Sequence, residues 1–559
     1  MPPNADFEAI QSDFILIIHP GSLYLRIGRA SDINPFKLMH VIARKRKVQG
    51  LIHQDSFLPL CTAKSKTLLQ EVEESRLQVS HTLQSCIQSD GTRRYATPPQ
   101  QIAAFNRRSH PEEIYEQINP LYIPEQDTII GDEVAKLSEN SDYNIHFPIR
   151  NGEFNVHSGI GGSVTGIIAN MKTIWEYAII KYLKIDIKNL HKYKAALVIP
   201  DIHHRGHIRE LTNLLLNDFG FHSCFLVQDH SAATFGAGLP YACVVDVGDQ
   251  KTSISCVEDC ISQPNTRIRL PYGGAHITQT FYWLLQKCAF PYKECSDSNP
   301  QDALLLQRLK EEFCHVNLDI CGSQEKSFII NPPNTTSKQY TLQVGDECLV
   351  APLSFFNTEL LGVTGPNGIR TQSSFPQNDA EDCFDAEYLR ETGRKGTKDT
   401  SDAAVTDVQG DIPPEKEEDI VVDCGLEGEK EMKVFDKDFQ VLPGQILSLD
   451  QAILQSIDRC PEELKRKMYS CILIVGGGMK FCGIDNWLQN RLSLQVPFAY
   501  RSDQMDIISK AKDMDPEITA WKGAAVMSCL ESSPELWLTH MEWKMFGLKA
   551  LKEKALFSC

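Results

Sequence analysis

The segment from Cys243 to Ser253, CVVDVGDQKTS, constrains the fold of this chain most strongly. Its apolar first half has the composition of a buried strand, and this strand ends abruptly in Asp-x-Gly-Asp-x-x-Thr. A glycine between two carboxylates lets backbone N–H groups approach an anion closely, and the acids can hold a metal ion bound to that anion. The segment therefore predicts a loop that binds nucleotide phosphates.

Two other glycine turns follow apolar strands. Phe14 to Ile18 and Leu23 to Ile27 flank the turn His19-Pro20-Gly21-Ser22, which predicts a β-hairpin. Cys471 to Val475 runs into Gly476-Gly477-Gly478, where backbone could pack flat against a ligand. A glycine run after a strand is more often a simple turn, but the chain order of these three segments favours a shared nucleotide site.

Strands and helices alternate through the rest of the chain, which predicts an α/β architecture. Ser163 to Leu183 has helical periodicity, whereas Ala195 to Ile199 reads as a buried strand. No apolar stretch reaches the ~20 residues that span a bilayer, so we expect no membrane association. The 18 cysteines are scattered without a C-x-x-C pair, which predicts reduced thiols and no zinc site.

The net charge of −17 is concentrated in one segment. Residues 365–440 contain 20 acidic and 9 basic residues, a net charge of −11, and few aromatic residues. Such a composition predicts a flexible insertion that either keeps the protein soluble or engages basic partner surfaces, which the resemblance given below would make those of histones. Residues 32–128 are polar and irregular, with helical patches and basic clusters at Arg44 to Lys47, Arg93-Arg94 and Arg107-Arg108.

Several stretches resemble actin in their order and sequence. They are Ile129 to Asn155, LKEEFCHV at Leu309 to Val316, AWKGAAV at Ala520 to Val526 and ELWLTHMEW at Glu535 to Trp543. The chain thus resembles the actin-related proteins of the actin, Hsp70 and sugar-kinase superfamily. The resemblance implies an actin-like ATPase fold of two duplicated ribonuclease-H-like lobes, at 13–236 with 520–559 and at 237–519. The segments at about 32–128 and 365–440 would be insertions in the first and second lobe.

The resemblance also implies ATP and Mg²⁺ as ligands, with Asp246 holding the metal through water. Gly21, Ser22 and Arg26 would form the first phosphate hairpin, and Asp246, Gly248, Asp249 and Thr252 the second. Gly274, Lys310 and Glu311 would line the ribose and adenine side, and Gly477 and Phe481 would pack against the base. Without the resemblance, Lys310 and Glu311 are ordinary helix-face charges.

Four positions differ from actin at residues that the resemblance assigns to ATP hydrolysis. His19 replaces the aspartate that opens the first hairpin, and Ser253 replaces a histidine after the second. Asp229, with Gln228 adjacent, aligns with the glutamine that positions water, and Glu517 with an adenine-side lysine. Because phosphoryl transfer depends on placing water and neutralising charge, we expect ATP binding with weak ATPase activity at most.

The resemblance implies a nuclear, non-filament-forming subunit of the Ino-eighty chromatin-remodelling complex, with roles in transcription, DNA repair and recombination, and mitosis. Its partners would be the motor subunit, actin, another actin-related protein, and the histones and DNA of the nucleosome. The basic cluster Arg44, Lys45, Arg46 and Lys47 could be a solvated loop, a nuclear-import signal or a DNA contact. The alternatives are an active ATPase, such as a chaperone or small-molecule kinase, and a scaffold that binds no nucleotide.

Overall fold

The computed structural model describes residues 12–47, 50–59, 66–114, 122–138, 141–363, 369–375, 446–501 and 504–557. The predicted acidic insertion at 365–440 lies outside these residues, apart from 369–375.

The strands lie mainly in two large sheets, as the alternation of apolar segments predicts. In the described ranges they are β1 (Ile15–Pro20), β2 (Tyr24–Arg29), β3 (Phe36–Met39), β4 (Ile42–Lys45), β5 (Glu112–Ile114), β6 (Thr128–Ile130), β7 (Tyr143–His146), β8 (Ile149–Arg150), β9 (Glu153–Phe154), β10 (Lys194–Ile199), β11 (Ser223–Gln228), β12 (Tyr241–Val247), β13 (Thr252–Glu258), β14 (Ile261–Ser262), β15 (Ile268–Leu270), β16 (Gln324–Ile330), β17 (Ser337–Val344), β18 (Cys471–Val475), β19 (Asp506–Ile508) and β20 (Leu538–Thr539).

Helices follow the strands in βα order through both halves of the chain. They are α1 (Lys66–Ser85), α2 (Pro99–Arg108), α3 (Val164–Ala178), α4 (Arg205–Asn213), α5 (Asp229–Ala237), α6 (Gly274–Lys287), α7 (Pro300–Phe313), α8 (Glu347–Leu353), α9 (Leu449–Asp458), α10 (Glu462–Ser470), α11 (Ile484–Gln495), α12 (Thr519–Ser528), α13 (His540–Phe546) and α14 (Lys549–Lys554). Ile179–Leu183 continues α3 as a π-helical turn, so the helix predicted from Ser163 to Leu183 is confirmed.

The two large sheets repeat one arrangement. In the first sheet, ordered β20-β11-β10-β1-β2-β3, β1 pairs antiparallel with β2 and parallel with β10. In the second sheet, ordered β14-β13-β12-β18-β19, β12 pairs antiparallel with β13 and parallel with β18. Each lobe therefore carries one hairpin, and the sequence prediction of a duplicated α/β fold is confirmed.

Helices α5 and α12 cross between the two sheets. A shared core joins their apolar side chains to residues of both sheets, among them Ile17, Val244 and Leu473. Trp521 of α12 is fully buried in this core, and its indole N–H donates to the carbonyl of Ile17 at 3.3 Å. The crossing thus connects the lobes beneath the space between their hairpins.

The segment at 32–128 is more regular than the sequence predicts. β3 extends the first sheet, β4 pairs with β6 and β7, and β5 pairs with β17. The 20-residue helix α1 buries Val72, Val79 and Leu83 in the core of the second lobe. Most residues of α1 are polar and its apolar residues are few, so the sequence pattern did not indicate a buried face. The residues that these side chains contact lie far away in the sequence. Although the sequence assigned the insertion to the first lobe, α1, α2 and β5 pack on the second.

The fourteen described cysteines are free thiols, nine of them buried, in agreement with the sequence prediction. No helix among the described residues is long and apolar enough to cross a membrane.

Candidate functional site

A deep cleft lies between the two hairpins. Ten residues that the sequence predicts for the nucleotide site line it: Gly21, Ser22, Arg26, Asp246, Gly248, Asp249, Gly274, Lys310, Glu311 and Gly477. The fold therefore brings into one cavity residues that the sequence separates by several hundred positions.

Thr252 and Phe481, also predicted to contact the nucleotide, lie away from this cleft. Thr252 faces Val247 across the hairpin, on the sheet face opposite to Asp246, and its hydroxyl donates to the carbonyl of Tyr272 at 2.8 Å. Phe481 packs in the core of the second lobe and is 8% exposed. Both side chains stabilise the site from behind rather than line it.

The turns at the cleft are held by close backbone contacts. Gly21 N–H donates to the carbonyl of Tyr24 at 2.9 Å, and Gly248 N–H donates to that of Lys251 at 2.9 Å. Gly478 N–H donates to the carbonyl of Val247 at 2.8 Å, which joins the third glycine turn to the second hairpin. A Cβ atom at Gly478 would lie 2.4 Å from the carbonyl oxygen of Gly248, so only glycine permits this approach.

Lys251 places an ammonium group between the carboxylates of the cleft. Its side chain is 13% exposed, and Nζ lies 2.9 Å from Asp229 Oδ2, 3.4 Å from Asp246 Oδ2 and 3.2 Å from Ser253 Oγ. Burial alone would lower the pKa of Lys251, but the two carboxylates raise it above its usual range. The same ammonium outweighs burial at Asp229 and lowers the pKa of that carboxyl. Lys251 is therefore a fixed positive charge near both hairpins.

His19 contributes no compensating charge. Burial, together with the nearby Arg26, lowers the pKa of His19 to about 3, so its imidazole is neutral at pH 7. Its Nδ1 atom is enclosed and has no protein partner. The position that carries an acid in actin is here an uncharged group with one open hydrogen-bonding nitrogen.

The opposite wall of the cleft is held by charges around Glu517. Its carboxylate lies 3.1 Å from Arg26, 2.8 Å from Lys37 and 3.3 Å from Lys480. Burial alone would raise the pKa of Glu517, but these three cations lower it to about 2. Arg26 therefore ties the first hairpin to the segment before α12, across the cleft.

Asp249 offers an unpaired acceptor. Its Oδ2 atom is enclosed without a partner, and the nearby Lys310 donates instead to the carbonyl of Gly274 at 3.1 Å. Burial raises the pKa of Asp249 from 3.8 to about 6, despite the opposing effects of Lys310 and Arg150. A hydroxyl or amine of a bound ligand would satisfy this oxygen.

Asp249→Asn is expected to stabilise the ligand-free chain by about 1–2 kcal/mol at pH 7.5. The raised pKa means that the folded state binds the proton more tightly, so the wild type loses stability as pH rises from about 4 to 6. The variant should lack this part of the pH dependence. Thermal unfolding at pH 4 and pH 7.5 measures it; an equal effect of the substitution at both values would contradict the assignment.

A polar network lies beneath the cleft floor. The ring nitrogens of His230 lie 2.7 Å from Ser255 Oγ and 3.0 Å from Ser253 Oγ, and Asp201 Oδ2 lies 3.5 Å from Arg267 Nε. These side chains are all buried. The network fixes Ser253, and through it the position of Lys251.

The residues around Asp246 fit a divalent metal poorly. Asp246 and Asp229 already share the ammonium of Lys251, and His19 is neutral. A hydrated Mg²⁺ at Asp246 would lie beside the ammonium of Lys251, and the two positive charges would repel each other. The magnesium site thus stays a prediction, and the position of Lys251 argues against it.

The basic cluster at 44–47 divides into two kinds of residue. Arg44 Nε donates to Asn170 Oδ1 at 2.8 Å, and Arg46 Nη2 donates to the carbonyl of Ser141 at 2.9 Å. Lys45 and Lys47 are exposed. Within this cluster, Lys45 and Lys47 present their charge directly to solvent, whereas Arg44 and Arg46 would first have to break these hydrogen bonds.

Sequence reasoning missed Lys251, Lys37 and Gln307, which also line the cleft. Lys251 lies inside the second hairpin motif, but its pairing with Asp229 depends on the direction in which the strand turns its side chain, which the motif does not show. Lys37 lies in a segment with no motif. Gln307 lies one turn before Lys310 and Glu311 on α7, so helical spacing was the one signal that could have indicated it.

Comparison with known proteins agrees with this geometry. The family model described as Actin matches residues 12–555. Actin-related protein 8 of Aedes aegypti is 58% identical over 98% of both chains, and that of Homo sapiens is 40% identical over 98% of this chain and 93% of the relative. A solved structure described as human actin-related protein Arp8 in its ATP-bound state has a TM-score of 0.84 and 36% identity, and covers 100% of both chains. The chain therefore belongs to the actin family, and within it to the group of actin-related proteins that resemble actin-related protein 8.

Proposed function

We propose that the cleft binds ATP as a ligand that holds the two lobes together. The observation that carries this proposal is the pair of tight hairpins facing each other across one cavity, with Lys251 of the second hairpin held between Asp229 and Asp246. The ATP-bound state of the similar human protein supports it. The proposal assigns the phosphates to the hairpins, and the sugar to the side of Asp249 and Lys310.

Lys251 supplies in this proposal part of the positive charge that Mg²⁺ supplies to nucleotides elsewhere. Its ammonium is held by Asp229 and Ser253, so it is already oriented before the ligand enters. Mg²⁺ that accompanies ATP would help to neutralise the phosphates. It would not depend on a cage of carboxylates from the protein. ATP affinity is therefore expected to depend only weakly on Mg²⁺.

Hydrolysis is expected to be weak or absent. The Asp229 carboxylate is committed to Lys251, which leaves it poorly suited to orient an attacking water. Neutral His19 adds no negative charge to hold a metal shell. An active ATPase and a scaffold that binds no nucleotide are the two alternatives. Calorimetry with ATP tests the scaffold alternative, which predicts no heat of binding. Single-turnover assays test the active-ATPase alternative, which predicts cleavage of the bound ATP.

The assembly we propose is a nuclear chromatin-remodelling complex of the Ino-eighty type. Membership of the actin-related proteins supports this role, in which the chain would contact the motor subunit, actin, another actin-related protein and the nucleosome. The packing of α1 and α2 over the second lobe adds bulk that actin subunits in a filament lack, so we propose that the chain does not polymerise. Light scattering with Mg²⁺ and ATP tests this; growth of filaments would refute it.

The exposed lysines of the basic cluster are the ones we propose to contact nucleosomal DNA. Replacing Lys45 and Lys47 with glutamine should lower the slope of log affinity against log salt by about 2. Replacing the exposed Lys188 and Lys192 instead is the matched control and should change it little. An unchanged slope in the first variant, measured with nucleosomes and the full chain, would remove DNA contact from this cluster.

A further inference from the structure

Three histidines from separate segments meet beside the small sheet of the first lobe. His146 ends β7, His53 lies on the segment that runs alongside β7, and His157 lies in the loop before α3. The rings of His53 and His157 stack with centroids 4.1 Å apart, and those of His53 and His146 with centroids 5.1 Å apart. One ring nitrogen of each lies within 4.8 Å of the other two.

Their hydrogen bonds leave lone pairs for a ligand. Asp55 Oδ1 accepts from His53 Nε2 at 3.1 Å, so the proton of this ring lies on Nε2 and the lone pair on Nδ1. His157 Nδ1 accepts from the exposed Gly159 N–H at 3.1 Å, so its lone pair can reach a ligand only in exchange for this exposed contact. His146 Nδ1 is buried and has no partner in the described structure.

The loop that carries His157 is shaped around these rings. A Cβ atom at Gly159 would lie 3.0 Å from His157 Nδ1 and 3.1 Å from His53 Nδ1, so both nitrogens border one point. A Cβ atom at Gly161, whose φ is +78°, would lie 3.1 Å from His146 Nδ1. The Nδ1 atoms of His53 and His157 therefore border one open point, and His146 Nδ1 borders a second, beside Gly161.

We propose that His53, His146 and His157 form a binding site for one divalent transition-metal ion, of which Zn²⁺ is the best match. Neutral imidazole is a preferred ligand of Zn²⁺, and three histidines with a water complete its tetrahedral shell. Nitrogens around tetrahedral Zn²⁺ lie roughly 3.3 Å apart, and the three ring nitrogens here lie within 4.8 Å of one another, so the stacked rings would have to turn toward a common point to bind one ion. This site contains no cysteine, which is why cysteine spacing did not reveal it.

The surroundings of the cluster favour the metal-bound form. Asp55 orients His53, and its second oxygen accepts from Phe147 N–H at 2.8 Å and Asn155 Nδ2 at 2.9 Å. A carboxylate fixed behind a histidine in this way orients the ring and increases its basicity as a ligand.

Zinc binding to the chelator-treated full chain tests the proposal. We expect one Zn²⁺ per chain that is lost in His157→Gln and in His53→Gln, with affinity reduced by more than about 100-fold. His81→Gln, at an exposed histidine of α1, is the matched control and should bind as the wild type does. Zn²⁺ should raise the Tm of the wild type and of the control but not that of the two other variants.

Two measurements distinguish loss of the zinc site from misfolding of the variants and from adventitious zinc binding. In EDTA, His157→Gln should unfold near the wild-type Tm, whereas His53→Gln should unfold lower because it loses the hydrogen bond to Asp55. Co²⁺ in place of Zn²⁺ should give the visible absorption of a tetrahedral nitrogen site without the sulfur charge-transfer band that a cysteine site would show. No binding by the wild type, or equal binding by His157→Gln, would overturn the proposal.

Discussion

Replacement of Lys251 with methionine should lower the free energy of unfolding by about 3 kcal/mol or more and weaken ATP binding at the same time. Nζ of Lys251 lies between Asp229 and Asp246, whose side chains are 6% and 17% exposed. Without the ammonium these carboxylates would repel each other at low solvent exposure. Denaturant unfolding of the ligand-free chain and ATP calorimetry measure the two effects.

Two comparison variants identify the cause. Lys251→Met combined with Asp229→Asn should recover much of the lost stability, because one unpaired carboxylate is removed, but should not recover ATP affinity. Lys480→Met is the matched control: this lysine is 40% exposed and pairs with Asp515 and Glu517, so about 0–1 kcal/mol is expected. Wild-type ATP affinity in Lys251→Met would contradict the role given to its charge.

Gly523→Ala should destabilise the chain by about 3 kcal/mol, at the upper end of the range for overpacking. A Cβ atom at Gly523 of α12 would lie 1.7 Å from the carbonyl oxygen of Ala232 in α5, so the helices would have to separate. Asp229 begins α5 and Ala520 lies in α12, and both line the cleft. The separation should therefore weaken ATP binding as well.

The control for this substitution lies on the same helix. Val526 of α12 is 44% exposed, and Val526→Ala should change the Tm by little because few contacts are lost. The Tm of both variants is measured without and with ATP. A Gly523→Ala variant that unfolds at the wild-type Tm would show that the two helices can separate without cost.

Local patterns were sufficient to predict the hairpins. β18 (Cys471–Val475) has the bounds that its apolar run indicates, because a strand that ends in a glycine turn is defined by its own residues. Helix α1 was missed as a regular element because its buried face is narrow and its partners belong to the second lobe. Long-range packing decides such segments, and the local sequence does not reveal it.

The site was predictable only where a motif carries it. Asp246, Gly248 and Asp249 follow a strand end and were found, whereas Thr252 was misplaced because strand alternation turns it to the opposite face. Lys251, in the same motif, was not recognised as the partner of Asp229, since that pairing depends on how two strands and α5 meet. The three-histidine cluster likewise depends on segments that come together only in the fold.

Incubation of the nucleotide-free chain with ATP, in Mg²⁺ and in EDTA, tests the proposed site most directly. Affinity is followed by calorimetry and cleavage by single-turnover analysis of the bound nucleotide. We expect ATP to bind in both buffers with affinities within about tenfold, a difference of 1.4 kcal/mol, and to remain uncleaved. Binding that requires Mg²⁺, or rapid cleavage of the bound ATP, would contradict a site in which Lys251 supplies the fixed positive charge.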